Sequence, residues 1–415
     1  VSPPSSASAG RSDRAVALVV LVAALGYFVD IYDLVLFGVV RKASLHGLGV
    51  PEAEMQDTGI FLQNMQMIGM LVGGVMWGVI ADKKGRLSVL FASIITYSVA
   101  NLVNGVVETV PQYAAMRFVA GVGLAGELGA GVTLVVEVMR RDVRGWGTAI
   151  VATVGICGGV VAALVGGQVE SWRHAYFIGG GMGIALLILR IGVVESGMFR
   201  GLDDRLVRRG DFLGLFRRRD RAVRYLAVIA VGVPIWYAVG VLITLSPEIG
   251  AAMGLDPRPV AADAFLWCYG GLAIGDLGSG VLSQLMRSRR RALGLFLGLT
   301  AAALVAYFTV GGTSMAAFKA CCGALGVAIG YWAVFVTSAS EQFGTNLRGT
   351  VATSAPNFVR GAVVPATLGY QALIGPLGGK VAAAATVGVV SLAIAAVALW
   401  ALPETFGKDL DFVED

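Results

Sequence analysis

Long apolar runs separated by short polar, often basic, stretches dominate the chain from residue 15 to residue 402. They fall at roughly 15–40, 57–81, 87–107, 112–139, 145–168 and 175–196, then at 222–245, 260–286, 292–311, 314–340, 349–375 and 380–402. An α-helix needs about 20 apolar residues to cross the hydrocarbon core of a bilayer. The pattern therefore predicts an all-α integral membrane protein with twelve transmembrane helices in two sets of six. The N-terminal bundle occupies 15–196, a basic linker 197–221 and the C-terminal bundle 222–402, with tails at 1–14 and 403–415.

Composition agrees, with 56% hydrophobic and only 14% charged residues, too apolar for a soluble globule. Fifty-eight glycines suit helices that approach closely in lipid. The net charge of +5 does not point to nucleic acid, because the basic residues sit between the apolar runs. Twenty-three of the 32 lysines and arginines lie on the side of the tails and linker, and only Arg41, Lys42, Arg173, Arg258 and Lys380 on the other. The positive-inside rule then places both termini in the cytoplasm, in a multi-pass protein of the plasma (inner) membrane. Cys157, Cys268, Cys321 and Cys322 lie in apolar runs without CxxC spacing, and His46 and His174 in external loops, so no metal site is expected. No nucleophile, base and metal set points to an enzyme, and a monomer is expected.

Charges inside the spans carry the functional signal, since each costs roughly 2.5 to 3.5 kcal/mol on insertion scales. The first span holds Asp30 near midplane and Asp33 in its outer half, on one helix face with Tyr27 and Phe37. Buried carboxylates can take up and release protons as their surroundings change. Arg117 in the fourth span lies at about the depth of Asp33, and Glu127 lies ten residues further on, a second proton station or a packing group. Arg360 follows Asn357 by one turn near the middle of the eleventh span. Its counter-ion is either a protein carboxylate such as Asp276 or an anionic substrate, which a guanidinium beside an amide can hold. Trp236 and Tyr237, beside Pro234, and the amides Gln63, Asn64 and Gln66 are further candidates to line a cavity.

Two parallel repeats are visible. Glu137 precedes Arg144-Gly145 by seven residues, as Glu341 precedes Arg348-Gly349, at an offset of 204. Gly78-Val-Ile-Ala-Asp82-Lys-Lys-Gly85-Arg86 corresponds more loosely to Gly280-Val-Leu-Ser-Gln284 and the basic run Arg287 to Arg291, at an offset of 202. Repeated halves around a midplane site are a transporter architecture.

With Gly78-x-x-x-Asp82-Lys83-Lys84-Gly85-Arg86, Arg117-x-x-x-Gly121-x-Gly123, the two Glu-x6-Arg pairs, and Val194-Glu195-Ser196 and Pro403-Glu404-Thr405, the chain resembles the major facilitator superfamily over essentially its whole length. Asp30-Ile-Tyr32-Asp33 resembles motifs of its proton-coupled aromatic-acid and phosphate symporters, and the closing phrases resemble its sugar porters. The resemblance implies two pseudo-symmetric six-helix bundles working by alternating access. The expected function is proton-coupled symport of a small, carboxylate-like organic anion, driven by a proton gradient without a cofactor. Uptake of a sugar or phosphate, or proton-driven export of drugs or metabolites, is the alternative. Asp30, Asp33, Arg117 and Glu127 are expected to couple protons, and Tyr27, Asp30, Gln63, Trp236, Tyr237, Asn357 and Arg360 to bind substrate. Asp82, Arg86, Glu137, Arg144, Asp276, Glu341 and Arg348 are expected to gate.

Overall fold

The structure is a computed structural model, which describes residues 6–84, 86–127, 129, 131, 135, 139, 144–195, 212–408 and 414. Among these residues it is all helical and contains no strand. In the first half α1 is Ser6–Gly47, α2 Met55–Lys84, α3 Arg86–Asn104, α4 Val110–Leu124, α5 Arg144–Gln168 and α6 Trp172–Glu195. In the second half α7 is Arg219–Tyr237, α8 Ala261–Leu285, α9 Arg289–Thr309, α10 Met315–Ile329, α11 Thr345–Gly361 and α12 Lys380–Ala401. Helix α10 resumes as Trp332–Glu341, α11 as Val363–Ile374, and α7 runs on into a π-helical turn, Ala238–Ile243.

Nine helices among the described residues are long and apolar enough to cross a membrane. The shortfall from twelve has local causes. The apolar part of α3 covers only Ser88–Asn104. Helix α4 reaches a turn at Ala125 and Gly126, and much of the expected continuation to 139 lies outside the described residues. Helix α11 carries Pro356 and polar side chains and breaks at Ala362. At the N-terminus, helix already begins at Ser6, inside the expected tail. In the linker, Gly214–Arg217 forms one short helical turn, and the expected residues 197–211 lie outside the described ones.

The two halves repeat their packing as well as their sequence. A side chain at Gly69 or Gly73 of α2 would run into the carbonyls of Phe118 or Val122 of α4. Gly271 and Gly275 of α8, each 202 residues further along, stand against the carbonyls of Gly323 and Val327 of α10 in the same way. Absent β-carbons let these helix pairs approach backbone to backbone, where van der Waals packing replaces the hydrophobic drive that lipid does not supply.

The segment after α12 is tied back onto the bundle. Glu404 accepts the Ser288 hydroxyl and the backbone N–H groups of Arg289 (2.9 Å) and Arg290 (3.2 Å), so its carboxylate caps the first turn of α9. Glu414 pairs with Arg224 at 2.8 Å and Arg221 at 3.2 Å, and its N–H donates to Asn346. Partial burial pushes the Glu404 carboxyl up, but the Ser288 hydroxyl and the N–H groups of Phe406, Arg289 and Thr405 outweigh it and bring it down to about 2. A carboxylate depressed in the folded state stabilises above its ordinary pKa and loses that contribution as protons are forced on. Glu404→Gln should therefore lower the thermal midpoint of the purified protein at neutral pH, and the difference from wild type should shrink as pH falls from about 4.5 to about 2. A difference that is constant across that window would show that the charge is not what caps α9.

Candidate functional site

At the centre, the carboxylate of Asp30 on α1 meets the guanidinium of Arg360 on α11. Arg360 Nη2 donates to Asp30 Oδ2 at 3.2 Å, and both side chains are completely buried. The pair bridges the two halves. Its other polar atoms, Asp30 Oδ1 and Arg360 Nε and Nη1, have no hydrogen-bond partner in the protein. The guanidinium carbon lies 5.7 Å from the ring centre of Trp236 and 5.8 Å from that of Trp332, and the two rings meet edge to face at 6.4 Å. Aromatic faces attract a desolvated guanidinium by roughly 2 kcal/mol, which offsets part of its burial. Tyr27, one turn from Asp30 on α1, is fully buried among the charges of Arg360, Asp30 and Asp276.

Three helices are interrupted around this pair. The π-turn of α7 begins shortly after Trp236, the break in α10 immediately precedes Trp332, and α11 breaks just beyond Arg360. Pro234 lacks an N–H and disturbs the ladder ahead of the π-turn. Such interruptions are tolerated at membrane depth where they line a site within the protein. At the break in α10, Asp276 Oδ1 accepts the N–H of Ala333 at 2.7 Å and so caps the resumed helix. Asp276 is engaged with backbone, and Arg360 takes Asp30 as its protein partner.

Asp33 lies one turn along α1, packed against Gly179 of α6, with the Asn101 side chain of α3 as its hydrogen-bonding neighbour. Arg117 donates to Gln66 Oε1, and its guanidinium carbon lies 4.0 Å from the ring centre of Phe37. It is an electrostatic neighbour of Asp33, with no ion pair between them in this conformation. Gln63, Gln66, Arg117, Trp236, Phe265 and Tyr269 line a cavity of about 20 Å³ on the side of the pair towards Gly38 of α1, room for about one water molecule. Gln63 donates to the carbonyl of Gly240 in the π-turn at 3.0 Å. Asn357 donates to Ala125 of the other half and to Thr353, both at 2.9 Å. Tyr237 points away from Arg360, donating to Ala384 of α12.

Glu127 forms a bidentate, buried ion pair with Arg190 of α6, which also donates to the carbonyl of Leu90. Gly26 of α1 leaves the room for it. Among the expected gating residues, Glu341 pairs with Arg289 at 3.2 Å and accepts the Thr405 hydroxyl, while Arg348 donates to the carbonyls of Ser340 and Phe343. Glu137 and the side chains of Asp82, Arg86 and Arg144 lie outside the described residues. At the opposite end, Arg41 of α1 pairs with Glu248 beyond α7 at 2.7 Å, almost fully buried. Glu52 with Arg258 at 3.2 Å and Asp57 with Gln371 at 2.8 Å close the same end between the halves.

Sequence reasoning did not single out Arg190, Trp332, Arg289 or the Arg41–Glu248 pair as functional. Arg190 and Glu127 carry the one signal that could have found them, two opposite buried charges within the same predicted bundle. Trp332 gives none, since a tryptophan in a spanning segment is ordinarily a packing or interfacial residue.

The family described as Major Facilitator Superfamily matches residues 23–364. The sialic acid transporter NanX of Escherichia coli is 27% identical over 208 residues, 49% of this chain and 50% of its own length. The benzoate transport protein of Acinetobacter baylyi is 26% identical over 216 residues, 50% of this chain and 42% of its own. A probable 4-methylmuconolactone transporter of Cupriavidus pinatubonensis is 25% identical over 400 residues, 92% of this chain and 89% of its own. The chain thus spans half or less of the first two relatives and most of the third.

Breaking a buried pair by removing one partner costs about 3 to 5 kcal/mol, whereas replacing both with apolar groups is often neutral. Glu127→Leu and Arg190→Leu should each lower the thermal midpoint in detergent strongly, and the double variant should recover most of the loss. Additive losses in the double variant would refute an exclusive pair.

Proposed function

The chain belongs to the major facilitator superfamily, and on that premise we propose that it is a secondary active transporter coupling proton movement to uptake of a small carboxylate-like anion. Family membership makes it a membrane transporter of small molecules and not an enzyme. The observation that carries the finer reading is the Asp30–Arg360 bridge, a buried charge pair between the two halves with donors to spare. Sialic acid and benzoate, for which two relatives are named, both bear a carboxylate that could replace Asp30 on Arg360.

The coupling follows from counting charge at the site. Empty, Asp30 and Arg360 sum to zero. With one proton on Asp30 and one monoanion on Arg360 they again sum to zero. An anion alone leaves the site at minus one and a proton alone at plus one, and an uncompensated charge in a closed, low-dielectric site costs several kcal/mol. Only the empty and the fully loaded carrier then close readily, which makes the symport obligatory and, for one proton and one monoanion, electroneutral. Trp236, Trp332 and Tyr27 give the anion's apolar body a wall, Arg117 answers the charge state of Asp33, and Gln63 and Asn357 hold the two halves in register. In this reading α3, α4 with its continuation, and α11 complete twelve spans in a monomer, with both termini cytoplasmic in the plasma membrane.

Proteoliposomes with an alkaline interior should accumulate labelled benzoate or another carboxylate, and should not do so without the gradient. Arg360→Leu should weaken binding by about 2 to 5 kcal/mol, the loss expected for a buried, hydrogen-bonded charge pair. Asp30→Asn should retain exchange of substrate across the membrane while losing accumulation against a gradient. Gradient-independent uptake by the wild type, or unchanged binding in Arg360→Leu, would refute the anion symport.

A further inference from the structure

The basic run between α8 and α9 is only partly used by the protein itself. Arg289 pairs with Glu341, and Arg290 donates to the Trp400 carbonyl at 3.3 Å. Arg287 and Arg291 are exposed, and neither pairs with a carboxylate among the described residues. Arg287, Arg290 and Arg291 instead line an open cleft of about 720 Å³ with Met286, Trp400 and Glu404. Glu404 is the acid of that lining, and its oxygens are already engaged. They accept the Ser288 hydroxyl and the N–H groups of Arg289, Arg290, Thr405 and Phe406. Three guanidinium groups against one occupied carboxylate leave the cleft with a net charge of +2.

The place of the cleft in the fold says what kind of anion it suits. Helix α8 ends at Leu285, α9 starts at Arg289 and α12 ends at Ala401, and all three are long and apolar enough to cross a membrane. The cleft therefore lies where the apolar lengths of three spans stop, the level at which headgroups meet hydrocarbon. Trp400 is 83% exposed there, and an indole is well suited to that boundary. Away from the cleft, Leu295 and Leu299 on α9 and Val397 and Ile394 on α12 continue exposed and apolar. Arg287 itself adopts a positive φ of 47°, a left-handed conformation uncommon for residues other than glycine and asparagine. That turn carries the chain from α8 into α9 across residues 286–288 and brings the three arginines to one cleft. A soluble anion would meet the arginines alone, whereas an anion that carries acyl chains meets the arginines, the indole and the apolar faces together.

We infer that this cleft is a binding site for an anionic phospholipid, with Arg287, Arg290 and Arg291 on the phosphate and Trp400 where the headgroup joins the acyl chains. The site shares no residue with the Asp30–Arg360 pair and does not rest on what the protein transports. A zwitterionic lipid brings its own cation into a cleft that already holds an excess of positive charge, so the site discriminates by headgroup. Because α9 begins and α12 ends in its lining, bound lipid joins these two helix ends.

The test measures retention of radiolabelled phosphatidylglycerol by the purified full-length protein, immobilised in detergent at constant ionic strength. Unlabelled phosphatidylglycerol should displace the label at a concentration at least tenfold lower than phosphatidylcholine of the same acyl chains, and excess inorganic phosphate should not displace it. A basic residue beside anionic lipid contributes roughly fivefold in affinity. The double variant Arg287→Asn/Arg291→Gln, in which asparagine tolerates the backbone of position 287, should therefore bind at least about tenfold more weakly. Arg291→Gln alone, an exposed position of α9, should cost about fivefold and covers the case in which the double variant does not fold. Lys319→Gln, which removes a cation paired with Asp263 at 2.7 Å near the opposite end of α8, should bind as the wild type does. The proposal is overturned if phosphatidylcholine or inorganic phosphate displaces the label as well as phosphatidylglycerol, if the folded arginine variants keep wild-type affinity, or if Lys319→Gln loses as much as they do.

Discussion

The structure depends on one electrostatic constraint, that a guanidinium buried midway through the protein must not be left without a negative partner. Arg360 meets it with Asp30, and the two indoles beside it supply the softer part of its environment. Because the partners belong to different halves, the charge that keeps Arg360 tolerable also joins the halves. A substrate anion able to take over the role of Asp30 would satisfy the arginine and release the acid in one event. In the proposed cycle, binding chemistry and the mechanical connection between the halves share the same atoms.

The surrounding backbone is built unequally for this. Helix α1 carries Asp30 through an unbroken run, whereas α7, α10 and α11 are each interrupted near Arg360 and its tryptophans. Interrupted helices expose N–H and carbonyl groups that must be satisfied within the protein, and Asp276 meets part of that need at the break in α10. An acid that looked available for an ion pair is thus spent on holding backbone. Glu127 is similarly occupied, but by a single arginine within its own bundle.

Much of this was legible in the sequence. Apolar run length located the helices, and the cost of burying charge singled out Asp30, Asp33, Arg117 and Arg360, because lipid leaves few innocent reasons for such residues. Partner choice was not legible, since it depends on rotation about helix axes that the sequence does not specify. Arg360 pairs with an acid 330 positions away, and Arg117 rests on a ring and an amide near the Asp33 carboxylate. The helix breaks were hidden for a different reason. Pro234 and Gly330 are residue types common in spanning helices, and only tertiary packing, such as the α8 backbone at Gly275 and Asp276 against Gly330, turns them into interruptions. The repeat was visible in its loops, yet its physical content, glycines 202 residues apart against equivalent carbonyls, emerges only from the contacts.

The residues beyond α12 have a consequence for how the protein is made. Glu404 closes the first turn of α9, and Glu414 reaches the start of α7 and Asn346 at the start of α11. Three helices synthesised before α12 thus have end contacts supplied by residues translated after it. During biosynthesis the second bundle can insert helix by helix, but its lacing at this face waits until Glu404 and Glu414 have left the ribosome.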